Sequence, residues 1–282
     1  MEIIDTAAAM TAISRQAHRE GKRVGFVPTM GALHRGHISL VRAAHEQTDI
    51  VVASIFVNPT QFGPAEDFSK YPRTFAKDSV MLAAEKTNYI FSPSVEEMYP
   101  KGATTWVDVE GLSGKLDGRS RPGHFRGVTT VVSKLFNIVQ PDLAFFGQKD
   151  AAQVAVIRKM VRDLNFPVRI VVCPIIREID ALAMSSRNAY LNPEQHNQAL
   201  VLSQALQKVE KLAAQGETSA ETLIAAGRQA MALEPSVRLD YLEVVNPDTL
   251  EPVPDVGQGA LVAVAAYVGT TRLIDNLLIP AR

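Results

Sequence analysis

Three separated stretches of the chain hold side chains of the types that handle phosphate: His34 and His37, Lys149, and the run Ser185-Ser186-Arg187. The histidines lie inside Val24–Val41. There an apolar run stops at Pro28, Gly31 and Gly36 mark a turn, and Ile38, Leu40 and Val41 resume at helical spacing. A strand, a loop and an opening helical turn aim backbone N–H groups and the positive end of a helix dipole at one place, which suits phosphate. His34 and His37 share a face of that first turn, where imidazoles would meet developing negative charge. Two other readings stay open at this level. His-x-x-His is also half of a zinc site, which needs further ligands, and the single cysteine, Cys173, lies in a different apolar run; or the pair has no joint role. Lys149 reads equally as a phosphate ligand and as a solvated loop lysine, and Ser-Ser-Arg alone is ordinary loop composition.

The elements that must position these residues follow a regular grammar. Met1–Ile4 reads as a short edge strand, and Thr6 caps a helix ending at Gly21. After the His-bearing loop a helix runs to about Glu46. Ile50–Val57 is almost wholly apolar, as a strand covered on both faces reads, and Asn58-Pro59 ends it. The stretch 61–72 is a surface loop or, given its place beside the site, a mobile lid. A helix over 73–86 and strands over 89–91 and 104–109 come next. Then come a helix over 127–140, a strand over 142–146, a helix over 150–164 and a strand over 168–172. This alternation predicts a Rossmann-like, doubly wound parallel sheet of the α/β class, with ligands at the carboxyl ends of its strands. His34, Asn58 and Lys149 all fall just beyond such ends. After Asn192 the pattern changes to helices over 193–215 and 219–233 and strands over 239–245 and 261–268. We therefore expect one domain over residues 1–176 and a smaller α+β C-terminal domain over 177–282.

Composition excludes several classes. The 282 residues include 29 basic and 30 acidic side chains, a net charge of −1, which leaves no footprint for bulk nucleic acid or an anionic membrane. One cysteine forms no internal disulfide, which fits a reducing cytoplasm. The longest apolar run, Ala260–Val268, is shorter than the roughly 20 residues of a membrane span and reads as a buried strand. The N-terminus, with Glu2, Asp5, Arg15 and Arg19, does not read as a signal peptide. A cytoplasmic, soluble protein is the expectation. A Walker A phosphate loop does not occur.

His34-Arg35-Gly36-His37 resembles the His-x-Gly-His signature of the nucleotidyltransferase superfamily. With Pro28–Leu33 before it, the stretch resembles the pantothenate synthetase family. The resemblance recurs at Phe56–Gly63, Tyr71–Thr74, Arg121–Gly127, Phe146–Asp150 and Met184–Asn188, so six motifs in order cover nearly the whole chain. The sequence departs from the family's usual pattern at Gln148 and Ala151, where Glu and Tyr or Phe are frequent, and at Ala181, where Gly is common.

The resemblance implies condensation of ATP, (R)-pantoate and β-alanine to pantothenate, AMP and pyrophosphate through a pantoyl adenylate. A carboxylate is ionised at neutral pH and needs no base to attack. It needs alignment with the α-phosphorus and relief from anion repulsion. Implied ATP ligands are Met30, Gly31, Ala32, Leu33, His34, Arg35, Gly36 and His37, then Gly147, Gln148, Lys149 and Asp150, and finally Ile176, Met184, Ser185, Ser186 and Arg187. Among them His37 is the implied proton donor to the phosphates, with His34 and Lys149 as further catalytic groups. Asp150 would accept from the ribose, cap the next helix, or do both, and the Ile176 backbone would meet the adenine. Gln61 and Gln153 resemble the family's pantoate contacts. Asn58 would help to fix that region, and Phe62, Val131 and Val132 would pack on the gem-dimethyl group. The stretch Arg119–Arg126 reads as well as a solvated loop and is left off the site. Mg²⁺ is expected with ATP, with no protein ligand identified, and a homodimer is implied. Competing readings are a nucleotidyltransferase acting on a phosphorylated acceptor, which should need more cations than two glutamines supply, and a nucleotide-sensing domain in which His37 matters only for binding.

Overall fold

The computed structural model describes residues 1–64 and 66–282; residue 65, inside the 61–72 stretch, lies outside the described residues. Strand β1 (Glu2–Ile4) and helix α1 (Ala7–Arg19) lead to β2 (Val24–Thr29) and α2 (Arg35–His45). Then come β3 (Ile50–Ile55), α3 (Phe75–Ala84), β4 (Tyr89–Phe91), and the short helices α4 (Val95–Met98) and α5 (Asp117–Ser120). Next are α6 (His124–Val139), β5 (Leu143–Gly147), α7 (Ala151–Asp163) and β6 (Arg169–Cys173). The six strands form one parallel sheet in the order β1-β4-β3-β2-β5-β6.

The chain builds outward from β2 to one side, then crosses back to lay β5 and β6 on the other. The strand order therefore reverses between β2 and β5. The carboxyl ends of strands flanking such a reversal splay their following loops apart and leave a crevice. His34 follows β2 and Lys149 follows β5, so the sheet order alone puts them on its two lips.

Helices α8 (Pro193–Ala214) and α9 (Ala220–Met231) precede an antiparallel sheet of β7 (Val237–Val245), β8 (Ala260–Val268) and β9 (Thr271–Ile279), in that order. The uniform apolarity of β8 has a structural cause. Val262, Val264, Ala266 and Val268 join the core under α8 and α9, whereas Leu261, Ala263 and Ala265 join the core of the parallel-sheet region. A strand buried on both faces loses the polar alternation of a half-exposed one.

Three points depart from the sequence expectation. Residues 104–109 form no strand. The backbone groups of Val107 are taken by side chains of α6: Thr130 Oγ1 accepts from the Val107 N–H at 3.0 Å, and the Thr129 hydroxyl donates to the Val107 carbonyl at 2.6 Å. Alternation was present, but no strand partner was. Strand β9 was not anticipated, because Asp275 and Asn276 break its apolar pattern at buried positions. Helix α6 also starts earlier than expected, at His124 behind the left-handed Gly123.

Candidate active site

The cleft at the crevice is lined by Met30, His34 and His37 from the first loop, by Gln61, and by Lys149, Asp150 and Gln153. Ile176 and Met184–Arg187 line it from the other side. It opens into a wider space of about 800 Å³ that reaches Arg272–Ile274 of β9. Of the expected ATP ligands, Gly31, Ala32, Leu33, Arg35 and Gln148 do not line the cavity.

The first loop works differently from the sequence expectation. The amides from Gly31 to His34 already have partners within the protein. The carboxylate of Asp78, on α3 and fully buried, accepts from the N–H groups of Ala32 at 2.9 Å and Leu33 at 2.8 Å, and from the Thr74 hydroxyl. Thr29 Oγ1 takes the Gly31 N–H at 3.1 Å and donates to the Ser54 carbonyl. A buried carboxylate is stable only when its lone pairs are filled, and backbone amides fill this one. Asp78 stands between Lys77 and Ser79 as one polar residue of the predicted helix, so the sequence carried no signal for its role.

The same economy fixes the histidines. His34 occupies the N-cap of α2, and its Nδ1 accepts from the Gly36 N–H at 3.1 Å. His37 Nδ1 accepts in turn from the His34 N–H at 3.3 Å. A nitrogen that accepts carries no proton, so each ring is left with its hydrogen on Nε2. The rings lie 4.1 Å apart, centroid to centroid. Gly36 is required beneath them: a Cβ there would come within 2.9 Å of the His34 ring. Burial, then the nearby Lys149 charge, pushes His34 down to about 4; burial, then His34 and Lys149, pushes His37 down to about 3, with Asp150 opposing in both cases. At neutral pH the pair is uncharged and offers N–H donors.

Ser186 ties the two signature loops together by donating to the Ala32 carbonyl at 3.0 Å. Ser185 Oγ accepts from the Arg187 N–H, and Arg187 forms a two-bond ion pair with Asp67. Asp150 stands at the N-cap position of α7, yet its side chain makes no capping bond. Its carboxylate lies 3.6 Å from Lys149 Nζ and is otherwise directed to solvent. Of the two roles expected for Asp150, the helix cap is not made.

Among the expected acid contacts, Gln61 donates from Nε2 to Met30 Sδ, and its Oε1 accepts from Asn58 Nδ2 at 3.0 Å. Asn58, only 1% exposed, is engaged throughout: Nδ2 also reaches the Gly127 carbonyl, and Oδ1 accepts from the Thr60 and Tyr99 hydroxyls. Asn58 thus orients Gln61 and keeps no group for a ligand. Val131 and Val132 line the cavity with Val128 and Leu135 of α6. Phe62 does not; it packs on Phe68 and Tyr71 instead. Arg121 and His124, outside the site in the sequence reading, do line it. Arg121 makes a two-bond pair with Glu66, and His124 Nδ1 donates to the Gln61 carbonyl at 2.8 Å while Nε2 accepts from Arg121. Three arginines around one histidine was the available signal.

Comparison with known proteins gives a consistent result. The family model described as pantoate-beta-alanine ligase matches residues 2–278. A pantothenate synthetase of Koribacter versatilis is 64% identical over 281 residues, covering 100% of this chain and 97% of that protein. The crystal structure of pantothenate synthetase from Thermus thermophilus superposes with a TM-score of 0.93 at 48% identity, over 98% of this chain and 99% of that one. A pantoate-beta-alanine ligase from Francisella tularensis, solved with beta-gamma ATP and beta-alanine, gives a TM-score of 0.79 at 34% identity, over 99% of this chain and 97% of that one.

Proposed function

The chain belongs to the pantoate–β-alanine ligase family, and we propose from that premise how its cleft joins pantoate to β-alanine at the expense of ATP. The enzyme is an acid–amine ligase whose products are pantothenate, AMP and pyrophosphate. We assign it two half-reactions. The pantoate carboxylate attacks the α-phosphorus, forming a P–O bond as the bond to pyrophosphate breaks. The β-alanine amine then attacks the acyl carbon of the adenylate, loses its proton, and expels AMP.

The observation that carries this reading is the tautomer of the histidine pair. With both Nδ1 atoms accepting backbone N–H groups, two neutral Nε2–H donors stand beside Lys149. Charge accumulates on the leaving oxygens as pyrophosphate departs, and fixed donors stabilise it without reorganisation. His37 and His34 act there as hydrogen-bond donors, with Lys149 and Arg187 supplying charge. Met30, Gly36, Gly147, Met184, Ser185 and Ser186 form the walls of the nucleotide subsite. Asp150 faces the ribose and Ile176 the base. Gly31, Ala32, Leu33, Arg35 and Gln148 support that subsite from behind. Gln61 and Gln153 grip the hydroxylated acid against the apolar wall of α6, a few polar groups in an apolar pocket being enough to orient a small ligand.

Asp150 is the one carboxylate among the described residues lining the inner cavity. That donor set suits Mg²⁺ carried in on the phosphate oxygens as part of the substrate, not one caged by protein. We further assign residues 1–176 as the nucleotide- and pantoate-binding domain and 177–282 as the domain carrying the Ser-Ser-Arg loop. The functional unit is assigned as a cytoplasmic homodimer. The single cysteine is free and buried, as suits a reducing compartment, and among the described residues no helix is long and apolar enough to cross a membrane. Light scattering tests the dimer.

Mass spectrometry should detect pantothenate and AMP only when ATP, pantoate and β-alanine are all supplied. ATP–pyrophosphate exchange should require pantoate and proceed without β-alanine. Exchange that depends on β-alanine would remove the adenylate from the scheme.

A further inference from the structure

Strand β9 interrupts the apolar run Leu273–Ile279 at Asp275-Asn276, and both of these side chains are nearly sealed from solvent, at 3% and 2% exposure. Neighbouring residues of a strand point to opposite faces, so the pair reaches two different segments. Asn276 Nδ2 donates to the Gln148 carbonyl at 3.0 Å and to the Lys149 carbonyl at 2.9 Å, while its Oδ1 accepts from Gln148 Nε2 at 2.9 Å. Those two carbonyls belong to the peptide planes that meet at the Lys149 Cα. Holding both fixes the direction in which the Lys149 side chain leaves the backbone.

Asp275 takes Arg177 in two bonds, at 2.6 and 3.0 Å, and accepts from the Asn276 N–H at 2.7 Å. Arg177 donates in turn to the Ala181 carbonyl and pairs across the hairpin with Ala183. This hairpin delivers Met184–Arg187 to the cleft. One dipeptide of the C-terminal sheet thereby grips the roots of both cation-bearing loops.

We infer that Asp275 and Asn276 are positioning residues of the adenylation site, Asn276 setting the Lys149 turn and Asp275 the hairpin that carries Ser185–Arg187. The inference rests on the assignment of Lys149 and Arg187 as phosphate ligands. Two bonds from a single amide to adjacent carbonyls tolerate no shift of the turn, and a lysine displaced by an ångström loses most of its alignment with the phosphates. The polar pair costs β9 its apolar continuity, and its hydrogen bonds offset that burial.

The test is a double-mutant cycle on ATP–pyrophosphate exchange, with folding followed by near-ultraviolet circular dichroism. Asn276→Ala is expected to fold and to lose 10- to 50-fold in turnover, with KM for pantoate changed less than 2-fold. On top of Lys149→Ala it should cost less than a further 2-fold, because its effect passes through that lysine. A merely structural role would instead multiply the two losses. Asn276→Asp keeps the volume but cannot donate to carbonyls, and is expected to behave as the alanine variant does. Asp275→Asn should raise KM for ATP about 10-fold. Near-normal turnover of folded Asn276→Ala, a multiplicative cycle, or failure of both position-276 variants to fold would overturn the proposal. Full activity of Lys149→Ala would overturn the assignment of the lysine itself, which is a separate result.

Discussion

Arg187 and Asp67 meet through two hydrogen bonds of 3.0 Å each, so the guanidinium proposed to meet the nucleotide is already held by a carboxylate of the 66–70 segment. The contact holds Asp67 below the ordinary carboxylate range through its bonds to Arg187, against the opposing effect of burial. A triphosphate reaching Arg187 must share or displace that carboxylate. Asp67→Asn removes the competing charge and keeps the shape. Partly buried pairs of this kind are worth on the order of 1 kcal/mol. The expected result is therefore a KM for ATP lowered roughly 3- to 10-fold at unchanged pantoate KM, read by initial rates. A raised KM for ATP would mean that the pair serves to close the site.

His37→Ala and Lys149→Ala test the centre directly. Each removes a donor that the proposed mechanism aims at the leaving phosphates, and loss of one such donor costs about 10²-fold or more in turnover. Neither side chain belongs to the hydrophobic clusters of the core, so melting temperatures should stay close to the parent. The check is kcat alongside a thermal melt; turnover within about 5-fold of the parent for either variant would refute its role.

The pH dependence follows from three neutral imidazoles. His34 and His124 sit at about 4 and His37 at about 3, against an ordinary 6.5; burial is the main cause in each, followed by Lys149, Arg121 and His34 respectively. In the unfolded chain each takes up a proton near 6.5, whereas the folded protein refuses it until lower pH. The unfolded state thus binds more protons from roughly pH 6.5 down to about 4, and down to about 3 for His37. Stability is full above that window and falls as pH drops through it, by up to ~1.4 kcal/mol per pH unit for each group. Thermal melts at successive pH values should show the decline. The acid limb of kcat/KM for ATP should lie below about pH 5, and a break near 6.5 would contradict a neutral pair.

How much of this was legible beforehand depends on whether a residue acts through periodicity or through a single contact. The parallel sheet was readable because β2, β3, β5 and β6 are apolar runs separated by helical ones, and the crevice followed from strand ends at His34 and Lys149. Residues 104–109 misled because alternation reports a half-buried chain, and side chains of Thr129 and Thr130 satisfied that chain in place of a neighbouring strand. Asp78 and Asn276 were invisible for a related reason. Each is a polar residue with backbone partners 45 to 46 and 127 to 128 positions away, and composition carries no trace of such contacts. Ala181 shows the opposite case. The sequence marked it as standing where glycine is common, and its φ of +75° gives the reason, since that region disfavours a side chain.

The fit between α6 and the turn that bears Gln61 gives the last expectation. Gly127 faces that turn so closely that a Cβ would lie 2.3 Å from the Thr60 carbonyl oxygen and 2.7 Å from the Gln61 Cα. These are backbone atoms, so no rotamer change relieves the overlap, and the turn itself must move. Because Asn58 also bonds to the Gly127 carbonyl, moving the turn disturbs the side chain that orients the Gln61 amide. Overpacking of this sort costs about 1–3 kcal/mol. Gly127→Ala should lower stability by that amount in urea titration and raise KM for pantoate at least 10-fold, with KM for ATP less affected. Gly114, where a Cβ meets nothing within 4 Å, is the control, and Gly114→Ala should stay within ~0.5 kcal/mol of the parent. If the two alanine variants unfold alike and bind pantoate alike, α6 does not set the position of Gln61.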